Sequence, residues 1–338
     1  MTPGTRPFGS TKAGEPVEKI TIASPELSAT FLTLGAILQD VRLKNVRHSL
    51  TLGGMTLSAY DNGPMKYFGA VVGPVANRIA NGRAKIEGTE LSLVKNENGI
   101  TTLHGGELGT HARNWTVTSQ SDDQVTLMVS LPDGEEGWPG NRTIFVSYYI
   151  THATLTMEIT ASTDAPTYMN LANHSYWNLA GVAMTGGHVL TINADRYTPV
   201  DANLIPTGEI AKVADTPFDF RYARVLKGEG GNRYDHNFCL ADARGPVRNA
   251  ARLEAPSGLV MEMETTEPGL QVYDAVGLAT APHVGHLAAP YNKFAGVALE
   301  AQGWPDAPNH RNFPSVMLVP GEMYRQTTRW IFRQSGTL

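Results

Sequence analysis

A chain of 338 residues is long enough for about two average domains or for one large β domain. Apolar residues make up 41% and charged residues 17%, which excludes wholesale disorder, and a net charge of −5 provides no basic field for a nucleic-acid partner. Cys239 is the sole cysteine, so intrachain disulfides, CxxC redox pairs and multi-cysteine zinc sites are excluded too.

In chain order, residues 1–16 mix prolines, glycines and charges where a secretory signal needs an unbroken apolar run, and they read as a flexible tail. Residues 17–338 are expected to form a single domain. A helical turn is expected near Tyr60. Val125, Leu127, Val129 and Leu131 then alternate with Thr126, Met128 and Ser130, the period of a half-buried strand. Leu155, Met157 and Ile159 repeat that period, and a second helical turn is expected near Val213. Further strands follow at Leu259, Met261 and Met263 and at Trp330 and Phe332. Gly and Pro recur throughout the chain and punctuate these pieces with turns. The fold class is therefore mainly β, a large antiparallel β-sandwich whose concave face suits a small polar ligand. No run approaches the ~20 apolar residues of a membrane span, so no membrane partner is expected and the cytoplasm is the expected compartment.

Polar clusters lie beside aromatic and glycine residues at Asn77-Arg78, His104-Gly105-Gly106, Asn173-His174-Ser175-Tyr176-Trp177, Tyr234-Asp235-His236-Asn237 and Glu300-Ala301-Gln302. This mixture of donors, acceptors and flat apolar faces suits a sugar, which presents hydroxyls and C–H faces together. His283 and His286 are spaced by three, but Pro282 and Gly285 interrupt any helix that would align them, so no metal is expected. The GEGG run at 228–231 lacks the ending of a phosphate loop and reads as a turn.

Ten ordered segments make the chain recognisable, among them GAVVGPVANRIANGRAKIEG from Gly69, NGITTLHGG from Asn98 and DGEEGWPGN from Asp133. NLANHSYWNLAG from Asn170, DANLIPTGEI from Asp201, TPFDFR from Thr216 and YDHNFCL from Tyr234 continue the series. GLQVYDA from Gly269, LEAQGWPDAPN from Leu299 and FPSVMLVPGEMY from Phe313 complete it. Along almost its whole length the sequence resembles the aldose 1-epimerases, also called galactose mutarotases. The resemblance implies a galactose mutarotase-like supersandwich that interconverts the anomers of a free monosaccharide through an open-chain aldehyde, with a sugar-phosphate epimerase on the same scaffold or a non-catalytic sugar-binding regulator as the alternatives. No cofactor is implied, because the reaction moves protons and no electrons. The protein is expected to act as a monomer or homodimer.

The same resemblance implies Glu300 as the base that takes the anomeric hydroxyl proton and His174 as the acid that protonates the ring oxygen. It implies Asn77, Arg78, His104, Tyr176, Asp235 and Gln271 as substrate-binding residues. On residue type alone, Glu300 also fits a surface ion pair and His174 a half-buried imidazole on a backbone carbonyl. Trp177 and Trp304 are open between sugar-stacking walls and core. Two positions depart from the family pattern, Pro74 where an arginine is common and Asp274 where a threonine often follows the tyrosine, and both bear on substrate preference.

Overall fold

The computed structural model describes residues 1–334, and among them there are 27 strands, five short 3-10 helices and no α-helix. Alternation decides the strands. In Gln124–Leu131 the four odd-numbered apolar side chains are buried while their neighbours are half-buried or exposed, and Arg142–Thr151 repeats the pattern beside it.

Three sheets carry the architecture, all paired antiparallel. A nine-stranded sheet runs from Thr116–Gln120 to Arg224–Val225, with the long Tyr324–Gln334 strand in its middle between Thr154–Thr163 and Leu259–Thr265. Opposite it lie a four-stranded sheet over residues 4–43 and a six-stranded sheet. The latter runs in the order Tyr176–Trp177, Val297–Gln302, Gly269–Tyr273, Asp235–Cys239, Arg196–Thr198 and Ala211–Lys212. The main core fills the space between the layers, drawing Phe31 from the four-stranded sheet, Ile159 and Met261 from the nine-stranded one and Leu299 from the six-stranded one. Trp177 crosses the layers, its ring centroid 5.7 Å from both Trp330 and Phe332.

Residues 1–16 are not a free tail. Gly4–Ser10 pairs with Pro16–Ala23 as the edge of the four-stranded sheet, and the intervening turn is closed by the Thr11 N–H on the Glu15 carbonyl at 2.8 Å. The strand was invisible as an amphipathic pattern because its side chains are exposed on both faces, apart from the half-buried Phe8. Main-chain pairing holds it together with the Phe8 ring packed 6.5 Å from Tyr60 and Thr5 Oγ1 donating to Gln120 Oε1 at 2.9 Å, and Pro7 is tolerated at an edge. Near Tyr60 the expected turn exists as the 3-10 helix Leu57–Ala59. At Val213 there is only a turn, with the Thr216 N–H on the Val213 carbonyl at 3.1 Å. No helix among the described residues is long and apolar enough to cross a membrane.

Candidate active site

The six-stranded sheet has two faces of opposite character. Val297, Leu299 and Ala301 point into the main core with Leu270, Val272 and Phe238. Period-two alternation then sends the intervening residues to the other face. There Glu300 stands opposite Gln271 and Gln271 opposite Asn237, while one step along Tyr176, Ala298, Tyr273 and Asp235 form a second row. Four strands thus supply one polar floor.

Loops from the other half of the chain wall it in. Asn77 and His104 clasp each other: the His104 N–H donates to the Asn77 carbonyl at 2.9 Å, and the Asn77 N–H donates to His104 Nδ1 at 3.2 Å. Because Nδ1 accepts, the proton of the neutral ring belongs on Nε2. Burial, reinforced by His174, His111, Arg78 and Lys66, holds the His104 pKa well below the usual imidazole range. The turn behind it is braced by the Trp138 indole N–H on the Gly105 carbonyl at 3.0 Å. Arg78 is gripped by both carboxylate oxygens of Glu97 at 2.8 Å each, a bidentate arrangement. Its Nη1 lies 3.8 Å from Asp235 Oδ2. Gln271 Nε2 donates to the other Asp235 oxygen at 2.6 Å.

His174 is set by its own segment. Its N–H reaches the Ala70 carbonyl, its carbonyl accepts from the Gly69 N–H, and Asn173 Nδ2 donates to the Gly69 carbonyl, all at 2.9 Å. Gly69 has φ +69°, and a Cβ there would lie 2.2 Å from the Leu38 carbonyl oxygen, so only glycine fits. The imidazole Nε2 sits 3.6 Å from Glu300 Oε1. His174 Nδ1 and Glu300 Oε2 are buried without a partner. Burial pushes the histidine down to about 4. Burial, with a smaller push from Asp235 and an opposing pull from Arg78, raises the Glu300 carboxyl well above its ordinary range. Proximity alone would suggest an ion pair, whereas burial shifts both groups toward their neutral forms. A cavity of about 360 Å³ opens above the pair.

The sequence pattern of the aldose 1-epimerase family matches residues 18–330. The chain belongs to that family. It is 39% identical over 335 residues to the galactose mutarotase of Sus scrofa, covering 96% of this chain and 97% of that one. It is 34% identical over 338 residues to the aldose 1-epimerase of Escherichia coli K12, covering 94% and 96%. Among solved structures, an aldose epimerase homologue from C. elegans superposes with a TM-score of 0.87 at 31% identity, covering 94% of this chain and 99% of that one. The galactose 1-epimerase of Lactobacillus acidophilus gives 0.85 at 26% identity, covering 99% and 100%.

Of the residues that the resemblance to the aldose 1-epimerases singled out, Asn77, Arg78, His104, His174, Tyr176, Asp235 and Glu300 line this one cavity. Gln271 lies behind it, its amide engaged by Asp235. Glu300 is 2% exposed and so is no surface ion-pair partner. Trp177 and Trp304 are core residues at 0% and 1% exposure, not sugar-stacking walls. Asp274 does reach the cavity rim, where its carboxylate accepts the Tyr234 and Val276 N–H groups. Sequence reasoning missed Tyr67, whose ring lies 4.7 Å from both His104 and His111 and 6.2 Å from His174. It also missed Glu97 and Leu204. Two signals were at hand: Leu204 lies inside the recognised DANLIPTGEI segment, and Glu97 directly precedes the one that opens at Asn98.

Proposed function

We propose that this protein is an aldose 1-epimerase in which Glu300 and His174 open and reclose the ring of a free monosaccharide. Supporting it most directly is the 3.6 Å contact between His174 Nε2 and Glu300 Oε1 under a shared cavity. The anomeric hydroxyl and the ring oxygen are bonded to the same carbon, so an acid and a base that serve them must be neighbours. The Glu300 carboxylate takes the hydroxyl proton, the O–H electrons form the C1 carbonyl, the C1–ring oxygen bond breaks, and His174 delivers a proton to the departing oxygen. Rotation about C1–C2 and the reverse steps give the other anomer. Burial favours a neutral imidazole and a protonated carboxyl, so a proton passing from Glu300 to His174 creates the working carboxylate and imidazolium without a proton from solvent.

Nε2–H of His104 is suited to stabilise charge on the ring oxygen, the guanidinium of Arg78 to donate to sugar hydroxyls, and Asp235, oriented by Gln271, to accept from them. Asn77 and Tyr176 complete the binding surface. An uncharged sugar is the substrate of this reading: Arg78 is already engaged by Glu97 and Asp235, and among the described residues Arg233, whose Nη1 donates to the Gly228 and Gly231 carbonyls, is the one other arginine lining the cavity. This reading includes a cytoplasmic location and a monomeric or homodimeric state. Polarimetry on freshly dissolved α-D-glucose and α-D-galactose tests it. The protein is expected to speed equilibration of at least one sugar, and Glu300→Gln to slow the catalysed rate about 10²–10⁴-fold. Equal rates with and without the wild-type protein for both sugars would refute it.

A further inference from the structure

The DANLIPTGEI segment is a recognised motif to which the chemistry above gives no task. It forms a loop that closes on itself. Asp201 Oδ1 accepts the N–H groups of Asn203 and Ile205 at 2.8 and 3.0 Å, and the Asp201 N–H donates to the Ile205 carbonyl at 2.8 Å. An isolated bridge between Val200 and Pro206 shuts the base. These bonds fix the internal shape of the loop.

At its tip Leu204 has φ +60°, a left-handed conformation that is unfavourable for a bulky side chain. The closed loop imposes it. The result is that Leu204 lines the sugar cavity and also a crevice of about 140 Å³ shared with Arg78, Glu97 and Thr101.

Position along the cavity gives this residue its meaning. The hemiacetal end is marked by His174 and Glu300. From the strand bearing Glu300 the sheet order runs through Gly269–Tyr273 and Asp235–Cys239 to Arg196–Thr198, three places away, and the Leu204 loop emerges directly from that last strand. Leu204 therefore borders the part of the sugar remote from C1 and the ring oxygen. An aliphatic wall accepts a C–H face, whereas a hydroxyl turned against it loses water and gains no hydrogen bond.

Resting on the mutarotase reading, we propose that Leu204 sets the discrimination between aldoses that differ in hydroxyl configuration at the carbons remote from the anomeric centre. The test compares kcat and KM for D-glucose and D-galactose, which differ only at C4, in the wild type, Leu204→Ala and Leu204→Asn. The ratio of kcat/KM values for the two sugars is expected to move on the order of 10-fold. The change should fall in KM, with kcat and the pH profile retained. Leu204→Gly suits the left-handed backbone and preserves a folded comparison should the other variants misfold. A ratio unchanged in every folded variant, or equal losses for both sugars, overturns the proposal while leaving the mutarotase reading intact. An inactive wild type would instead overturn that reading.

Discussion

Burial acts in opposite directions on the two central side chains: it keeps the His174 imidazole deprotonated down to about 4 and keeps the Glu300 carboxyl protonated well above its ordinary range. Between those two values the pair carries a single proton, the inventory the reaction needs. Acid loads a second proton on His174 and removes the partner able to pass protons back. Alkali strips the proton from Glu300 and leaves nothing to give the ring oxygen. Initial polarimetric rates are therefore expected to give a bell-shaped kcat/KM profile, its acid limb near the histidine value and its alkaline limb at the raised carboxyl value. Asp235 contributes to that raised value through its negative charge. Asp235→Asn should accordingly shift the alkaline limb to lower pH, whatever it does to KM. An alkaline limb that stays put or moves upward contradicts this electrostatic assignment.

Glu300, Gln271 and Asp235 are held in register by the strands that carry them, and at Gly269 neighbouring groups approach the backbone too closely for a Cβ. A Cβ there would lie 2.3 Å from Asn237 Oδ1 and 2.9 Å from Trp304 Cδ1. Gly269→Ala is expected to cost about 1–3 kcal/mol of stability by overpacking, measured as a lower denaturant midpoint. It should also reduce kcat/KM, because the strand bearing Gln271 pairs directly with the one bearing Glu300. An unaltered midpoint would mean that the sheet absorbs the methyl group. This element was half legible in the sequence. The alternation Leu299, Glu300, Ala301, Gln302 already separates a core face from a polar one, and motif resemblance supplied the roles. Nothing in linear order announces that Tyr67, Glu97 and Leu204 meet above that face, since they arrive on loops far apart in the chain. Trp304, which the sequence leaves open between a stacking wall and the core, belongs to the core, where its indole N–H donates to the Pro268 carbonyl.

At the scale of the whole molecule, the sandwich was legible because strands with one buried face alternate visibly, whereas the edge strand Gly4–Ser10, held by main-chain pairing, leaves no such trace. A consequence of wrapping so much polar floor in apolar layers is a store of buried, uncharged imidazoles. His111 shows it cleanly. It is 4% exposed, makes edge contact with Tyr67, and is held by burial at about 3. An unfolded chain would protonate it near 6.5. Its folded value is depressed, so the stability linked to its neutral form is complete above the unfolded value and is lost as pH falls toward the folded one. Over that interval the wild type is expected to lose about 1.4 kcal/mol per pH unit from this residue alone. His111→Gln has no such proton to take up. Raised carboxyls such as Glu300 and Asp235 act in the opposite sense, but they are common to both proteins and cancel in the comparison. Urea unfolding at about pH 6.5 and about pH 4.5 should therefore show the variant's stability falling less steeply than the wild type's, by about 2–3 kcal/mol over the interval. Parallel slopes would mean that His111 is protonated in the folded protein, and burial would then have to be offset by a partner that the surrounding residues do not provide.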